Sequence, residues 1–169
     1  MALSRTELML QQLIAEFQTI STQNGYRTDP VQVIGSCRHP DDIKSFPEFG
    51  IELGDEEVIT KDDNWDMFDS VVQVTIQGAV KCDVDTGDDL TNLQLTSESV
   101  VHDFKRKIAE LMKKFILQNA SGTAMAWNIT PSKTMQFTRM VGFGTKRNIG
   151  VVFTQFSVRI RNQDATFTT

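Results

Sequence analysis

Tyrosine occurs once, cysteine and histidine twice each, and proline four times in 169 residues. Each shortage removes a class of protein. Two thiols, Cys37 and Cys82, fall short of the framework that staples a small secreted domain, so reduced or buried thiols are expected and no bridge between them. Nucleophilic catalysis needs a serine or cysteine served by a base and an orienting group, and neither His39 nor His102 sits in such a motif. No apolar run approaches the roughly 20 residues of a membrane-spanning helix. Basic residues are outnumbered 17 to 22, giving a net charge of -5 and a pI near 5.0, which argues against a broad basic face that grips nucleic acid. An acidic wall can still border a passage for DNA, because like-charge repulsion keeps the polymer from sticking. The first residues, Met1 to Arg5, show no basic start, apolar block and cleavage site, so a cytosolic start is expected. Without an internal repeat or a Pro-, Gly- or Ser-rich linker, the chain reads as one domain over 1–162 with a flexible tail over 163–169.

What is present is a strong pattern of elements. The longest amphipathic signal runs from Thr96 to Leu117, where Val101, Phe104, Ile108, Leu111, Met112 and Phe115 recur at spacings of three and four. Thr96 or Ser97 is the expected cap, and the pairs Asp103 with Lys107 and Glu110 with Lys114 are expected on its wet side. Lys113 and Lys114 suit the negative end of the helix dipole. An earlier helix starts at the capping box Ser4-Arg5-Thr6-Glu7, buries Leu10, Leu13, Ile14 and Phe17, and is expected to close near Gln23-Asn24-Gly25.

Strand signals flank the long helix. Pro30 to Ile34 reads as a short edge strand. Phe49, Ile51 and Leu53 alternate with Glu48, Gly50 and Glu52, and that strand is expected to stop at Gly54, ahead of an acidic exposed loop from Asp55 to Asp66 anchored by Val58, Ile59 and Trp65. The clearest strand sets Val72, Val74, Ile76, Gly78 and Val80 against Gln73, Thr75 and Gln77. After the helix, Met125 to Thr130 reads as a short strand ended by Pro131, Lys133 to Val141 as another, and Ile149 to Arg161 as the last, with Val152, Thr154, Phe156, Val158 and Ile160 on one face. The order predicts an α+β two-layer sandwich, a mostly antiparallel sheet packed by one long helix plus an N-terminal helix.

Chemistry is harder to find. Asp83 to Asp89 alternates acids in the manner of a calcium loop, but from Asp83 the sixth and twelfth positions hold Asp88 and Gln94 where an EF-hand needs glycine and glutamate; a solvated acidic turn accounts for the same residues. Gly142-Phe143-Gly144-Thr145-Lys146 echoes a phosphate cradle, yet it leads into a strand where such loops need a helix. Cys37, His39 and Cys82 are zinc-ligand types without zinc-site spacing. No catalytic residue, metal or cofactor is assigned. Phe143, Lys146 and Arg147 make a minimal patch for stacking and gripping a single strand, and subunit contact is the preferred reading. Phe167 reads either as part of a frayed end or as an arm docking on a neighbour. Trp65, Phe143, Lys146, Arg147 and Phe167 are thus the candidate interface residues.

One resemblance runs from about Leu3 to Ile160. The first helix, then Phe46-Pro47-Glu48-Phe49-Gly50-Ile51-Glu52-Leu53, Asp69-Ser70-Val71-Val72-Gln73-Val74-Thr75-Ile76, a long charged helix, and Gly150-Val151-Val152-Phe153-Thr154-Gln155-Phe156-Ser157-Val158 resemble the tail terminator, or head-tail joining, proteins of long-tailed bacteriophages. It is a likeness of element order and texture, with no catalytic motif to carry over. It implies a non-enzymatic structural virion protein, assembled in the host cytoplasm as a homohexameric ring. Such a ring caps the tail tube, ends its polymerisation, and meets the tail tube protein on one face and the head connector on the other. DNA passes through its lumen without specific binding, and no membrane or cofactor is involved. The alternatives are another neck or tail-tube component, such as a head-completion or tube protein, and a small soluble ligand-binding module using Asp83 to Asp89 or the glycine turn.

Overall fold

Ser4 begins the first helix as the sequence leads one to expect: its Oγ accepts from the Glu7 amide at 3.2 Å, and its own amide donates to Glu7 Oε2 at 2.6 Å. This reciprocal cap satisfies two of the donors a helix leaves orphaned at its start. A computed structural model of the chain describes residues 4–61, 67–82, 89–114, 117–118, 124–141 and 147–163. Helix α1 spans Arg5–Gln18 and buries Met9, Leu13 and Phe17. It closes at Thr19, earlier than the expected Gly25. Gly25, at φ 79°, instead ends a separate 3-10 turn over Thr22–Asn24, the left-handed role the sequence suggested for it but one turn of chain later.

Strand β1 is Gln32–Ile34, β2 Glu48–Lys61, β3 Met67–Cys82, β4 Leu117–Gln118, β5 Ala124–Val141 and β6 Arg147–Gln163. They form one sheet in the order β1-β2-β3-β6-β5-β4. Among the described residues only β1 and β2 run parallel; every other pair is antiparallel. Helix α2, Asp89–Lys114, crosses from β3 to β4 and packs on β3, β5 and β6. Both helices share one core with the sheet, so the protein is an α+β sandwich of the expected kind.

The register explains the core. Val72, Val74, Ile76 and Gly78 lie opposite Val158, Phe156, Thr154 and Val152, and all eight are buried, as period-two alternation requires of one face. Phe104 of α2 is fully buried and meets Phe17 and Phe49 edge-on, with ring centroids 5.8 and 4.8 Å away. This joins α1, α2 and β2 at one point.

Several expected boundaries move. Strand β2 does not stop at Gly54 but continues to Lys61, through irregularities between Leu53 and Glu56 and between Val58 and Thr60. Its bulges absorb the glycine and the acidic run, so most of the expected loop is strand. The two strands expected around Pro131 are one: Pro131 lies opposite Phe156 inside β5, with a register shift before Lys133. Proline is tolerated there because β4 pairs β5 only at Ala124 and Ala126, leaving Pro131 on an edge without a strand neighbour among the described residues. Helix α2 begins seven residues before Thr96. Thr96 and Ser97 therefore do not cap it, and their hydroxyls donate back to the carbonyls of Asn92 and Leu93, each at 2.8 Å.

Two glycines let α2 approach the sheet. A Cβ on Gly78 would stand 2.5 Å from Val100 Cγ1 and 2.9 Å from Phe104 Cζ, and one on Gly150 would collide with Ser97 Oγ. Gly78→Ala is therefore expected to cost about 1–3 kcal/mol by overpacking, read as a lower urea midpoint at an unchanged denaturant slope.

Candidate interaction surface

Asp103 and Lys107 were expected on the wet side of α2, and both are buried. The segment after α1 turns across that side of the helix and covers it. Asp103 accepts from the amides of Arg27 at 3.0 and 3.1 Å and of Thr28 at 2.9 Å, and from the Thr28 hydroxyl at 2.7 Å. Lys107 donates to Thr19 Oγ1 at 2.7 Å, pairs with Glu110 at 3.2 Å and Glu16 at 3.8 Å, and lies 5.3 Å from the centre of the Tyr26 ring. Arg106 stacks 4.3 Å over the same ring, bonds the Gly25 carbonyl, and pairs with Glu110 at 3.1 Å.

Every charged group in this cluster is ion-paired or hydrogen-bonded, Asp103 by neutral donors and the others by opposite charges, which is what makes its burial affordable. Burial pushes the Tyr26 phenol well above its usual range, and its hydrogen bond to Glu110 adds to that. For Glu110 burial pulls upward, but hydrogen bonds from Tyr26 and Lys107, with Lys107's charge, outweigh it and hold the carboxyl below the usual glutamate range. Saturated in this way, the cluster works as a clasp between the chain after α1 and α2. His102, beside it, has its Nδ1 3.4 Å from Asp103 Oδ1 and is half-exposed.

The sheet face turned away from α2 is covered at one end. The Gln77 side chain accepts from the Arg38 amide at 2.8 Å and donates to the Arg38 carbonyl at 2.7 Å, imitating a strand partner. Cys37 lies over Gly50 and Thr75, its Sγ 3.9 and 4.0 Å from their carbonyls, and a Cβ on Gly50 would meet the backbone of Ser36 and Cys37. Glu48, expected on a polar face, is buried here beside Gln32 and Arg38. Burial, together with the nearby Glu52 carboxylate, pushes the Cys37 thiol up to about 12, so at neutral pH it is not a nucleophile. Cys37 is free, and among the described residues no group of three histidines, cysteines or carboxylates could hold a metal ion.

The sheet's two edges differ in charge. β1 pairs β2 only from Glu48 to Gly50, so among the described residues the outer edge of β2 from Ile51 onward has no strand beside it. β2 carries Glu48, Glu52, Asp55, Glu56 and Glu57 against Lys61 alone, while β5 carries Lys133 and Arg139 and no acid. Val58 and Ile59 are exposed on β2 at 46% and 51%, apolar side chains on an unpaired edge where natural strands usually place protection. Between α2 and the β5–β6 side of the sheet lies a groove of about 370 Å³, floored by Ile108, Met112, Pro131 and Thr154 and rimmed by Lys105 and Lys133.

Of the candidate interface residues, Trp65, Phe143, Lys146 and Phe167 lie outside the described residues, as do Asp83 to Asp88 of the acidic loop. Arg147 opens β6 opposite Val141. β6 includes Gln163, the first residue of the expected tail, and 164–169 lie outside the described residues. The groove and the exposed Val58-Ile59 pair went unnoticed as an interface in the sequence. The signal for the pair was two apolar residues inside an acidic run; the groove needs Lys105 and Lys133 brought together across 28 positions, which no local pattern reports. Among the described residues no helix is long and apolar enough to cross a membrane. Neither a scan against models of known protein families nor a comparison with curated protein sequences returns a match for this chain.

Asp103→Ala is expected to remove about 3 kcal/mol of stability, since it strands buried donors, and to speed amide exchange at Arg27 and Thr28 ahead of the sheet. Glu110 has a folded-state pKa below its unfolded value, so its contribution is complete above the ordinary glutamate range and fades as pH falls through it. Glu110→Gln should accordingly flatten the acid limb of a thermal-melting profile between about pH 5 and 3, while its neutral-pH midpoint falls.

Proposed function

We propose that this chain is a structural virion protein that caps a phage tail tube as a closed ring, ends tube polymerisation and offers the docking face for the head connector. The observation that carries this reading is a sheet with, among the described residues, an acidic stretch of β2 without a strand neighbour on one side and a basic stretch of β5 without one on the other. Two unlike, complementary sides are what a head-to-tail contact needs, and such a contact closes into a ring when the rotation between copies allows it. The resemblance in element order to tail terminators supports the same reading, and the α+β sandwich is the fold that resemblance implies.

The mechanism is binding without chemistry. One face of the ring fits the last tube ring, and the other no longer templates the next tube subunit. The net charge of -5 suits a passage through which DNA slides without adhering. A head-completion or tube protein would draw on the same support, and the two are separated by where the chain sits in an intact particle.

Light scattering with negative-stain imaging tests the ring. The expected result is a closed oligomer, alone or on addition of tube protein, with six copies per ring. A strict monomer at high concentration under both conditions overturns the proposal.

A further inference from the structure

Resting on the ring reading, we infer a specific contact within it: the Asp55–Ile59 limb of β2 in one copy seats in the lysine-rimmed groove beside α2 in the next. The limb has the composition of a ligand for that groove. Asp55 and Glu57 are exposed acids, and Val58 and Ile59 are exposed apolar side chains that the chain's own core does not cover. The groove mirrors it, with an apolar floor at Ile108, Met112 and Pro131 and cations at Lys105 and Lys133. Lys105 and Lys133 are both exposed, and Met112 is 39% exposed on the groove wall. Burying Val58, Ile59 and Met112 together removes three of the exposed large apolar side chains from water at one contact.

Position supports the pairing. Glu57 lies opposite Val71, Val71 opposite Arg159, and Arg159 opposite Asn128, so one row crosses the sheet from limb to β5. Pro131, on the groove floor, is three residues along β5 from that row, roughly 10 Å. β3 stands between the limb's strand and the β6–β5 pair that lines the groove of the same copy, so a copy presents the two parts on opposite sides of the sheet, offset by that distance along the strands. A lateral step from one copy to the next then brings acid to lysine. Register shifts on either side of the limb give it the twist and local freedom from regular pairing with which bulged edges re-aim side chains.

The contact is tested by charge exchange at four exposed positions, read by analytical ultracentrifugation at low and high salt with circular dichroism as the folding control. D55K/E57K and K105E/K133E are each expected to weaken self-association about tenfold or more. The quadruple variant D55K/E57K/K105E/K133E should recover it, and so should an equimolar mixture of the two double variants. High salt should weaken the unaltered protein and the quadruple variant alike. Folded double variants that associate as the unaltered protein does, a loss confined to one of them, or a quadruple variant that stays dissociated each overturn the contact and give the groove another occupant, while the unaltered protein's ring still stands. An unaltered protein that remains monomeric with and without tube protein removes both the contact and the ring.

Discussion

The clasp at Asp103 is the constraint on which the arrangement of the N-terminal third depends. A carboxylate in the middle of α2 takes two consecutive backbone amides and a hydroxyl from Arg27 and Thr28, fixing where the chain stands after α1. From that point only a few residues lead to β1, which joins β2 in parallel. A parallel neighbour cannot be reached by a tight hairpin and needs a crossover. The crossover here, Gly35 to Pro47, carries Ser36, Cys37 and Arg38 over the reverse face of the sheet, where Gln77 and Glu48 hold Arg38. The clasp and the crossover together give the sheet two differently covered faces, with α1 and α2 on one and the crossover on part of the other.

Much of this was legible, and the misreadings share a cause. The capping box, the Val72–Val80 alternation and the Val152–Ile160 face are local patterns whose period equals the geometry of the element, and they appear in the structure as written. Asp103 and Lys107 were misplaced because their i, i+4 spacing matches a solvated pair, and nothing within one turn of helix reveals that residues 19–28 fold over them. Glu48 was misplaced for the same reason, its cover arriving from Arg38 and Gln32. Gly54 and Pro131 read as ends because each weakens a strand in isolation; pairing with β3 and β6 carries the strands past both, with irregularities taking up the misfit. The interface residues chosen from sequence fall mainly outside the described residues, whereas the groove and the limb depend on contacts between distant segments.

Under the proposed ring reading, a subunit has to solve two problems at once: stay folded alone, and keep enough unsatisfied surface to recognise its own copy. The core residues on the α2 side of the sheet serve the first need, and the saturated cluster around Tyr26 adds rigidity without reactivity. In that proposal the lateral edges serve the second. In the proposed ring, opposite charges on β2 and β5 would favour head-to-tail approach and oppose the association of like edges, guarding edges left unpaired among the described residues against indiscriminate sheet extension.

Gly78 and Gly150 bear on that balance in a way that goes beyond packing. Gly150 lies under Leu93 and Ser97 in the first half of α2 and Gly78 under Val100 and Phe104 at its middle, while the groove opens beside its second half, between Lys105 and Met112. Side-chain bulk at Gly78 would push outward on Phe104, the residue directly before the groove-lining Lys105, so a residue with no side chain of its own helps to set the seat of the helix where the groove begins.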